Sequence, residues 1–302
     1  MDTAEEWAEA EGFETGFVDG PEVRLHYVAA GPRSAPLVVL LHGFPEFWYA
    51  WRNQLGPLAE EYRVVAPDLR GYNRSDRPSG VDAYRLDRLR TDMYELIQSF
   101  GRGEAHLIGH DWGGTLALSF ARHHPAHVGR LVVANTLDTE RLRTQLRGTQ
   151  LLRSWYAAFF QLPWLPETVA AAGDYRALRA SYEETAVPDA YTETDIERYR
   201  TAWERDGALT AALNYYRAAG RAAVRNLFSL EAADRIYVPT RVLWGQQDDA
   251  LGPEVADALC RGIDDPELVR YDEATHWLHA EYPDRFTADV REFISEASAT
   301  RH

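Results

Sequence analysis

Four continuous apolar runs in the first half of the chain constrain its fold more than any other feature. They occupy residues 37–41, 64–66, 105–108 and 131–134. Apart from His106 the runs contain no polar residue, and runs of this kind are typical of parallel strands that are buried on both faces. Helical patterns separate the runs, for example at residues 87–100 and 115–123. This alternation predicts an α/β fold with a mostly parallel central sheet flanked by helices. A period-2 pattern at residues 22–29 predicts a further strand that buries one face.

A long helical stretch interrupts the alternation. It spans residues 137–232, after which strand patterns resume at residues 240–244 and 268–271, and a last helix begins at Pro283. That helix is expected to bury Phe286, Val290, Phe293 and Ile294. We therefore predict an α/β core formed by residues 1–136 and 233–302, with an inserted helical cap formed by residues 137–232. Open α/β sheets bind ligands at the carboxyl ends of their strands, so the cap is expected to cover that edge.

Composition excludes several classes of function. The net charge is −15, and all 32 basic residues of the 302-residue chain are arginine. Such an acidic chain is a poor partner for nucleic acid or an anionic membrane. No apolar run approaches the roughly 18 residues of a membrane span, and the acidic N-terminus lacks a signal pattern. Cys260 is the single cysteine, which excludes a disulfide framework and a cysteine zinc site. These features predict a cytoplasmic protein, and both a salt-tolerant organism and a GC-rich genome fit the absence of lysine.

The segment GHDWGG at residues 109–114 is the first candidate for chemistry. It lies between a predicted strand and a predicted helix, where many hydrolases carry a serine nucleophile in a G-x-S-x-G turn. Asp111 stands at the serine position, and Gly109 and Gly113 leave room for the strand and helix to approach. Aspartate is also a common helix N-cap residue. Asp111 is therefore either a nucleophile or a cap.

Polar groups after three other predicted strands favour the nucleophile. The loop at residues 42–45, which reads HGFP, can turn the Phe44 N–H toward this turn, and the Trp112 N–H would complete an oxyanion hole. Asp248 follows the strand at 240–244, and His276 follows the strand at 268–271. The order nucleophile, acid, histidine is the one that this kind of hydrolase uses.

We therefore predict a catalytic triad of Asp111, Asp248 and His276. Asp138, which follows the run at residues 131–134, is the alternative acid. His123, His124, His127 and His279 are interpreted as solvated groups, and His279 is the one among these four that could also line a pocket.

With these residues the sequence resembles the α/β-hydrolase-fold epoxide hydrolases of the soluble type, from about residue 13 onward. The segments that carry the resemblance are HGFPEFWYAWR (42–52), APDLRGYNRSD (66–76), GHDWGG (109–114), GQQDDAL (245–251) and THW (275–277). The resemblance implies an α/β-hydrolase fold. In that fold, an aspartate nucleophile marks two main chemistries, the opening of epoxides and the cleavage of carbon–halogen bonds.

The resemblance extends to two cap tyrosines that hydrogen-bond the epoxide oxygen in this family. Tyr156 in WYAAFFQLP matches the first position, and Tyr216 in LNYYR matches the second. Tyr215 stands where the family usually has tryptophan, which leaves open which tyrosine of the pair points inward. The resemblance thus implies hydrolysis of an epoxide to a vicinal diol, through an ester on Asp111 that is cleaved by water activated by His276.

Other functions fit parts of this pattern. A haloalkane or haloacid dehalogenase would use the same triad, and haloalkane dehalogenases share the tryptophan at Trp112. Their second common halide donor, an asparagine, is replaced by Phe44, and the arginines of fluoroacetate dehalogenases are replaced by Trp112 and Thr115. A non-catalytic binding protein of the same fold is the remaining alternative, which the presence of all five predicted catalytic residues disfavours.

The expected substrate is a small hydrophobic epoxide in a pocket beneath the cap. The proposed chemistry requires no metal and no cofactor, and a monomer and a homodimer are equally compatible with the sequence. The residues expected to line the pocket are His42, Pro45, Phe47, Trp155, Phe160 and Trp277.

Overall fold

The computed structural model describes residues 3–225 and 233–299. Within these ranges the strands are β1 (Glu14–Asp19), β2 (Arg24–Ala30), β3 (Leu37–Leu41), β4 (Arg63–Pro67), β5 (Ala105–His110), β6 (Val128–Ala134), β7 (Thr240–Gly245) and β8 (Glu267–Tyr271). The helices of the core are α1 (Ala4–Ala10), α2 (Arg52–Ala59), α3 (Leu86–Ser99) and α4 (Trp112–His123). Those between β6 and β7 are α5 (Leu142–Gln145), α6 (Thr149–Arg153), α7 (Trp155–Phe159), α8 (Leu165–Glu183), α9 (Glu193–Trp203) and α10 (Ala208–Arg225). The last three are α11 (Pro253–Cys260), α12 (Leu278–Glu281) and α13 (Pro283–Ala299).

The strands form one sheet in the order β1-β2-β4-β3-β5-β6-β7-β8. β2 pairs antiparallel with both β1 and β4, and every other neighbouring pair is parallel. The predicted α/β class with a mostly parallel sheet is confirmed. Because β3, β5, β6, β7 and β8 run in the same direction, the loops that follow them meet at one edge of the sheet.

Helices cover both faces of this sheet. One hydrophobic cluster packs residues of α3, α4, α10 and α11 against one face, and a second packs α2, α13 and the turn at Trp48–Trp51 against the other. The four apolar residues predicted for α13, which are Phe286, Val290, Phe293 and Ile294, are all buried. The sheet is thus the middle layer of three, as the uninterrupted apolar runs indicated.

The first two strands differ from the prediction. Val28 and Ala29 on β2 point to opposite faces, yet both are fully buried and they belong to different clusters. The predicted one-sided burial at residues 22–29 is therefore wrong, because both faces of β2 are covered. β1 was not predicted, because ETGFVD has no apolar run and forms the edge of the sheet, where polar residues are tolerated.

The stretch between β6 and β7 is helical as far as it is described. Residues 137–225 contain α5 to α10 and loops but no strand, and α8 is interrupted at residues 172–175 by non-helical backbone. The predicted end of the cap at residue 232 lies outside the described residues. Among the helices that the structure describes, none has the length and apolar character needed to cross a bilayer.

Candidate active site

Asp111 occupies the tight turn between β5 and α4. Its backbone adopts φ 49° and ψ −118°, a region that residues other than glycine rarely enter. Although Asp111 is the N-cap residue of α4, its side chain makes no capping hydrogen bond. Its Oδ1 instead accepts a hydrogen bond of 2.8 Å from the Phe44 N–H. The carboxylate is therefore directed at the loop after β3 and does not serve its own helix.

Two glycines allow this arrangement. A Cβ atom added to Gly43 would lie 2.5 Å from the Asp111 Cβ, and one added to Gly113 would lie 2.0 Å from the Leu41 carbonyl oxygen. Both separations are far below van der Waals contact. A side chain at Gly43 would displace Asp111 from the Phe44 amide, and one at Gly113 would push α4 away from β3.

The structure brings the two predicted oxyanion-hole residues to Asp111. The Phe44 N–H already contacts the carboxylate. Trp112 is the first residue of α4, so its backbone N–H has no acceptor within the helix and is available at the helix N-terminus. The partial positive charge of that terminus also favours negative charge beside it.

The three predicted triad residues come together at the same edge of the sheet. His276 Nδ1 lies 2.7 Å from Asp248 Oδ2, and His276 Nε2 lies 3.9 Å from Asp111 Oδ2. Asp248 is buried and is held by hydrogen bonds from Asn135 Nδ2 at 2.6 Å and from the Leu251 N–H at 2.9 Å. The imidazole is thus fixed by an oriented carboxylate, with its other nitrogen facing Asp111.

The alternative acid, Asp138, has a different position. It is buried in an ion pair with Arg122, and its side chain also caps a short helical turn at Thr139–Arg141. Asp249, the neighbour of Asp248, is exposed. Within the described residues, Asp248 is therefore the carboxylate that is hydrogen-bonded to His276.

Asp248 and His276 set each other's protonation. Burial opposes the charged form of His276, but the charge of Asp248, the hydrogen bond to it and the charge of Asp111 together raise the pKa of His276 to about 9. Burial likewise works to raise the pKa of Asp248, yet the interactions with His276 and Asn135 lower it below its ordinary value. In the free protein at neutral pH, the pair is therefore an imidazolium beside a carboxylate.

Tyr156 on α7 and Tyr216 on α10 line the same cavity as Asp111. Their rings are nearly perpendicular, with centroids 6.1 Å apart. Burial, and after it the charge of Asp111, raises the pKa of both hydroxyls, so both remain protonated over the whole neutral range. The Trp112 ring packs edge-on against the Tyr216 ring, with the centroids 5.0 Å apart.

The neighbouring Tyr215 points the other way. Its ring is buried against Tyr72 and Tyr84, and its hydroxyl donates a hydrogen bond of 2.8 Å to the Arg70 carbonyl oxygen. Tyr216 is therefore the residue of the pair that faces Asp111.

Behind His276 lies a buried network that was not predicted. The Glu46 carboxylate accepts hydrogen bonds from the Gly43 N–H at 2.9 Å and from His279 Nε2 at 3.2 Å, and it lies 2.9 Å from His110 Nδ1. His110 Nε2 lies 2.9 Å from the His276 carbonyl oxygen. Both ring nitrogens of His110 thus face oxygen atoms that can accept hydrogen bonds. The network ties the loops that carry Phe44, Asp111 and His276.

Glu46, His110 and His279 also have ligand atoms within 4.8 Å of one another, close enough to hold a metal ion. Their separations of 2.9 and 3.2 Å are those of hydrogen bonds. Burial, followed by the neighbouring His110 charge, lowers the pKa of His279 to about 4, so its Nε2 proton is available to donate to Glu46. Hydrogen bonding therefore accounts for this cluster. The positions of two of these residues in the sequence could have indicated the cluster: Glu46 directly follows HGFP, and His110 directly precedes Asp111.

The cavity in front of Asp111 has a volume of about 640 Å³. It is bounded by Asp111, Trp112, Tyr156 and Tyr216, and it continues along α10 beyond Tyr216. The apolar walls are formed by Leu137, Leu142, Leu146, Ala219, Val224 and Leu251.

None of the six residues predicted for the pocket lines this cavity. His42 is buried in the loop after β3, where its ring bonds to the Gly43 carbonyl and the Leu69 N–H. Phe47 is packed in the core, and Trp277 is buried in a stack with Tyr182. Trp155 is 66% exposed.

The remaining two lie near the site but off its walls. Phe160 packs against Phe44 and Tyr216, and Pro45 borders a separate small cavity. The six residues lie off these walls because they pack in the core or against neighbouring rings, or are exposed. The walls consist of Trp112, Tyr156 and Tyr216 together with smaller residues from α5, α10 and the loops after β6 and β7.

This fold, with an aspartate at the turn after β5, defines the chain as an α/β hydrolase. The family model for the alpha/beta hydrolase fold matches residues 36–283. Among characterised sequences, the AB hydrolase superfamily protein YfhM of Bacillus subtilis is 42% identical over 276 residues, which cover 90% of this chain and 95% of that protein. Human epoxide hydrolase 4 is 37% identical over 286 residues, covering 91% of this chain and 76% of the human protein.

A solved structure of an epoxide hydrolase is also similar to this chain. The crystal structure of a Bacillus megaterium epoxide hydrolase in complex with an inhibitor superposes with a TM-score of 0.84 at 29% identity, covering 93% of this chain and all (100%) of that one. The chain therefore belongs to the α/β-hydrolase-fold epoxide hydrolases, as the resemblance implied.

Proposed function

We propose that this protein hydrolyses an epoxide to a vicinal diol through a covalent ester on Asp111. The observation that carries the proposal is the placement of Tyr156 and Tyr216 on the wall of the cavity that Asp111 enters. An aspartate nucleophile alone serves any sp³ carbon with a leaving group, whereas two protonated hydroxyls opposite it suit an epoxide oxygen. We further propose that residues 137–232 act as the cap domain over this cavity.

In the first step, Asp111 Oδ2 attacks an epoxide carbon. Oδ1 is held by the Phe44 N–H, so Oδ2 is the oxygen with its lone pairs free toward the cavity. A bond forms between Oδ2 and carbon while the carbon–oxygen bond of the ring breaks, and its electron pair remains on the epoxide oxygen. Tyr156 or Tyr216 supplies the proton that this oxygen takes up. A positioned proton donor of this kind typically contributes about 10²–10⁴-fold in rate.

In the second step, water cleaves the ester. Neutral His276 takes a proton from the water, and the oxygen of the water bonds to the Asp111 carboxyl carbon. Negative charge collects on Oδ1, which the Phe44 N–H already binds and which the Trp112 N–H at the start of α4 would also stabilise. Removing one such donor typically costs about 10²–10³-fold. The intermediate collapses with loss of the diol oxygen, which receives the proton from His276. The second proton of the water passes from the Asp111 carboxyl group to His276, which restores the carboxylate and the imidazolium.

The raised pKa of His276 fits this order of events. A base must be neutral when water attacks, yet the pKa of His276 is about 9 while Asp111 carries its charge. Esterification removes that charge at 3.9 Å, so the pKa of His276 falls after the first step. The imidazolium proton then passes to the tyrosinate that the first step leaves, so the base becomes neutral once there is an ester to hydrolyse.

Carbon–halogen cleavage fits the same residues less well. It would require donors for a leaving halide, and the Trp112 ring packs edge-on against Tyr216. Position 44 offers only a backbone N–H, and that group binds the nucleophile.

The test is to trap the ester. With His276→Gln and a stoichiometric terminal aryl epoxide, we expect intact-protein mass spectrometry to show an adduct of one substrate mass, located on the peptide that contains Asp111. His123→Gln is the matched control, because His123 is a partly exposed histidine at the end of α4, and this variant should turn over without an adduct. Free turnover by His276→Gln, or an adduct on another residue, would contradict the mechanism.

A further inference from the structure

The outer surface of α6, α7 and the loop that follows them exposes large apolar side chains. In α7 and the turn after it, Trp155 and Leu162 are 66% and 43% exposed, whereas Tyr156 between them lines the cavity. Single exposed apolar residues are ordinary, but a group of them marks an interaction surface. The group, which we call the outer cap face, consists of Leu151, Leu152, Trp155, Leu162 and Trp164.

The charge around this face is opposite in sign to that of the chain. Residues 141–166 contain four arginines and no acidic residue, whereas the whole chain has a net charge of −15. Two acids of the core lie close by: Glu254 accepts a hydrogen bond from α6, and Asp249 follows the residue whose carbonyl oxygen binds Arg153. The four arginines outnumber these two acids, so the segment is positive as well as apolar.

A second copy of the chain is a poor match for such a face. In a symmetric dimer the outer cap face would meet its own copy, so arginines would lie against arginines and repel each other. A bilayer with anionic headgroups matches both properties of the face. Tryptophan and leucine side chains enter the boundary between headgroups and acyl chains, and arginines beside them are attracted to anionic lipids.

The net charge does not prevent this contact. The composition predicts a poor partner for an anionic membrane, but that prediction treats the charge of the chain as one sum. The Debye length is about 8 Å at physiological salt. A surface against the outer cap face therefore interacts with the nearby arginines, while the acids on the far side of the molecule are screened.

We propose that the outer cap face docks on the surface of an anionic phospholipid bilayer. Its five apolar side chains lie at the headgroup boundary, and the exposed Arg143 and Arg147 lie against the lipid phosphates. The protein rests on the bilayer without crossing it. The docking depends on this face alone, so it does not require that the substrate be an epoxide.

The experiment measures how the full-length protein partitions onto sucrose-loaded vesicles during sedimentation. Vesicles of phosphatidylcholine with roughly a quarter of phosphatidylglycerol are compared with vesicles of phosphatidylcholine alone. We expect binding to the anionic vesicles to be stronger by at least about tenfold. This difference should disappear between about 0.1 M and about 1 M KCl, because the Debye length falls from about 10 Å to about 3 Å.

Two double variants separate the charged and the apolar contributions. Arg143→Gln/Arg147→Gln should weaken binding to the anionic vesicles by about fivefold for each arginine. Leu152→Ser/Trp155→Ser should weaken binding to both kinds of vesicle by at least about tenfold, because less apolar surface leaves water. Urea-induced unfolding of each variant checks that the fold is intact.

Arg33→Gln and Tyr237→Ser are the matched controls, because both residues are exposed near the amino ends of β3 and β7, at the edge of the sheet opposite the cavity. Both should bind like the unaltered protein. The inference is overturned if the unaltered protein does not bind anionic vesicles, or if the double variants bind as strongly as these controls. A dimer that Leu152→Ser/Trp155→Ser abolishes, found without vesicle binding, would assign the face to a second copy instead.

Discussion

Asp111 Oδ2 and His276 Nε2 are separated by 3.9 Å, which is too long for a hydrogen bond but short enough for strong interaction between their charges. Two unit charges about 4 Å apart interact by about 1 kcal/mol in water and about 4 kcal/mol at an effective dielectric constant near 20. Each pKa unit corresponds to about 1.4 kcal/mol. The charge on the nucleophile therefore has a measurable effect on the base.

Asp111→Asn should lower the pKa of His276 by about one unit or more. The amide is neutral like the ester intermediate, and a histidine loses affinity for its proton when a nearby negative charge is removed. The measurement is an NMR titration of the His276 ring, which in the unaltered protein should titrate near pH 9. The mass of the variant is checked after the titration, because the water that His276 activates could also hydrolyse the amide at position 111 to aspartate. An unchanged or higher pKa in the variant would contradict the proposed coupling.

Tyr216→Phe should slow formation of the Asp111 ester by roughly 10²-fold, because one of two proton donors is lost. The measurement is the single-turnover rate under rapid quench. Tyr215→Phe is the matched control, because its hydroxyl bonds to the Arg70 carbonyl oxygen outside the cavity. That variant should lose about 0.5–1.5 kcal/mol of stability and keep its single-turnover rate. Equal slowing of both variants would show that Tyr216 acts through packing alone.

The positions of the reacting residues could be predicted because each follows a strand. Asp111, Asp248 and His276 end up together since the carboxyl ends of parallel strands share one edge of the sheet. The network of Glu46, His110 and His279 was not predictable in the same way. Their contacts join loops that are far apart in the chain. The hydrophobic periodicity that predicts helices and strands does not indicate contacts of this kind.

At the scale of helices and strands, the contact between α4 and β3 depends on a glycine. Gly113→Ala should lower the free energy of unfolding by about 1–3 kcal/mol or more, the usual cost of forcing extra atoms into a packed interior. The cause is the Leu41 carbonyl oxygen, which would lie 2.0 Å from the new Cβ. The measurement is urea-induced unfolding followed by tryptophan fluorescence.

The control for this glycine is Gly103→Ala. Gly103 is exposed, and a Cβ added there meets nothing within 4 Å. This variant should unfold at nearly the same urea concentration as the unaltered protein. If both alanine variants lost the same stability, the loss could not come from the contact with Leu41, because Gly103 has no such contact, and the close approach of α4 to β3 would have no special role.

The bounds of helices and strands that carry a clear apolar pattern could be predicted closely. Surfaces that depend on how neighbouring elements pack could not be predicted. The helical pattern at residues 87–100 became α3 at Leu86–Ser99, and the run at 64–66 became β4 at Arg63–Pro67. The cavity walls were missed because they depend on which face of α10 turns inward. Trp155, expected inside, lies on the outer side, while Val224 lines the cavity despite being 70% exposed.

For the molecule as a whole, excess negative charge is the dominant long-range force. A net charge of −15 repels itself in the folded state, and added salt screens this repulsion. We expect Tm to rise on the order of 2 °C or more between low salt and 1 M KCl, measured by calorimetry. Choline chloride at equal ionic strength should act similarly if screening is the cause. A fall in Tm would mean that the many arginine–carboxylate pairs outweigh the excess charge.

The hydrogen bond from the Phe44 N–H to Asp111 Oδ1 predicts which oxygen atom of Asp111 is replaced by oxygen from water during turnover. If Oδ1 stays bound while Oδ2 reacts, the first diol formed in oxygen-18 water carries an oxygen from the protein. Every later diol carries an oxygen that entered from the solvent one cycle before. After many turnovers the peptide containing Asp111 should hold a single heavy oxygen, and a second one would show that the carboxylate rotates between cycles. One hydrogen bond thus divides a chemically symmetric carboxylate into an oxygen that the protein keeps and an oxygen that leaves with each product.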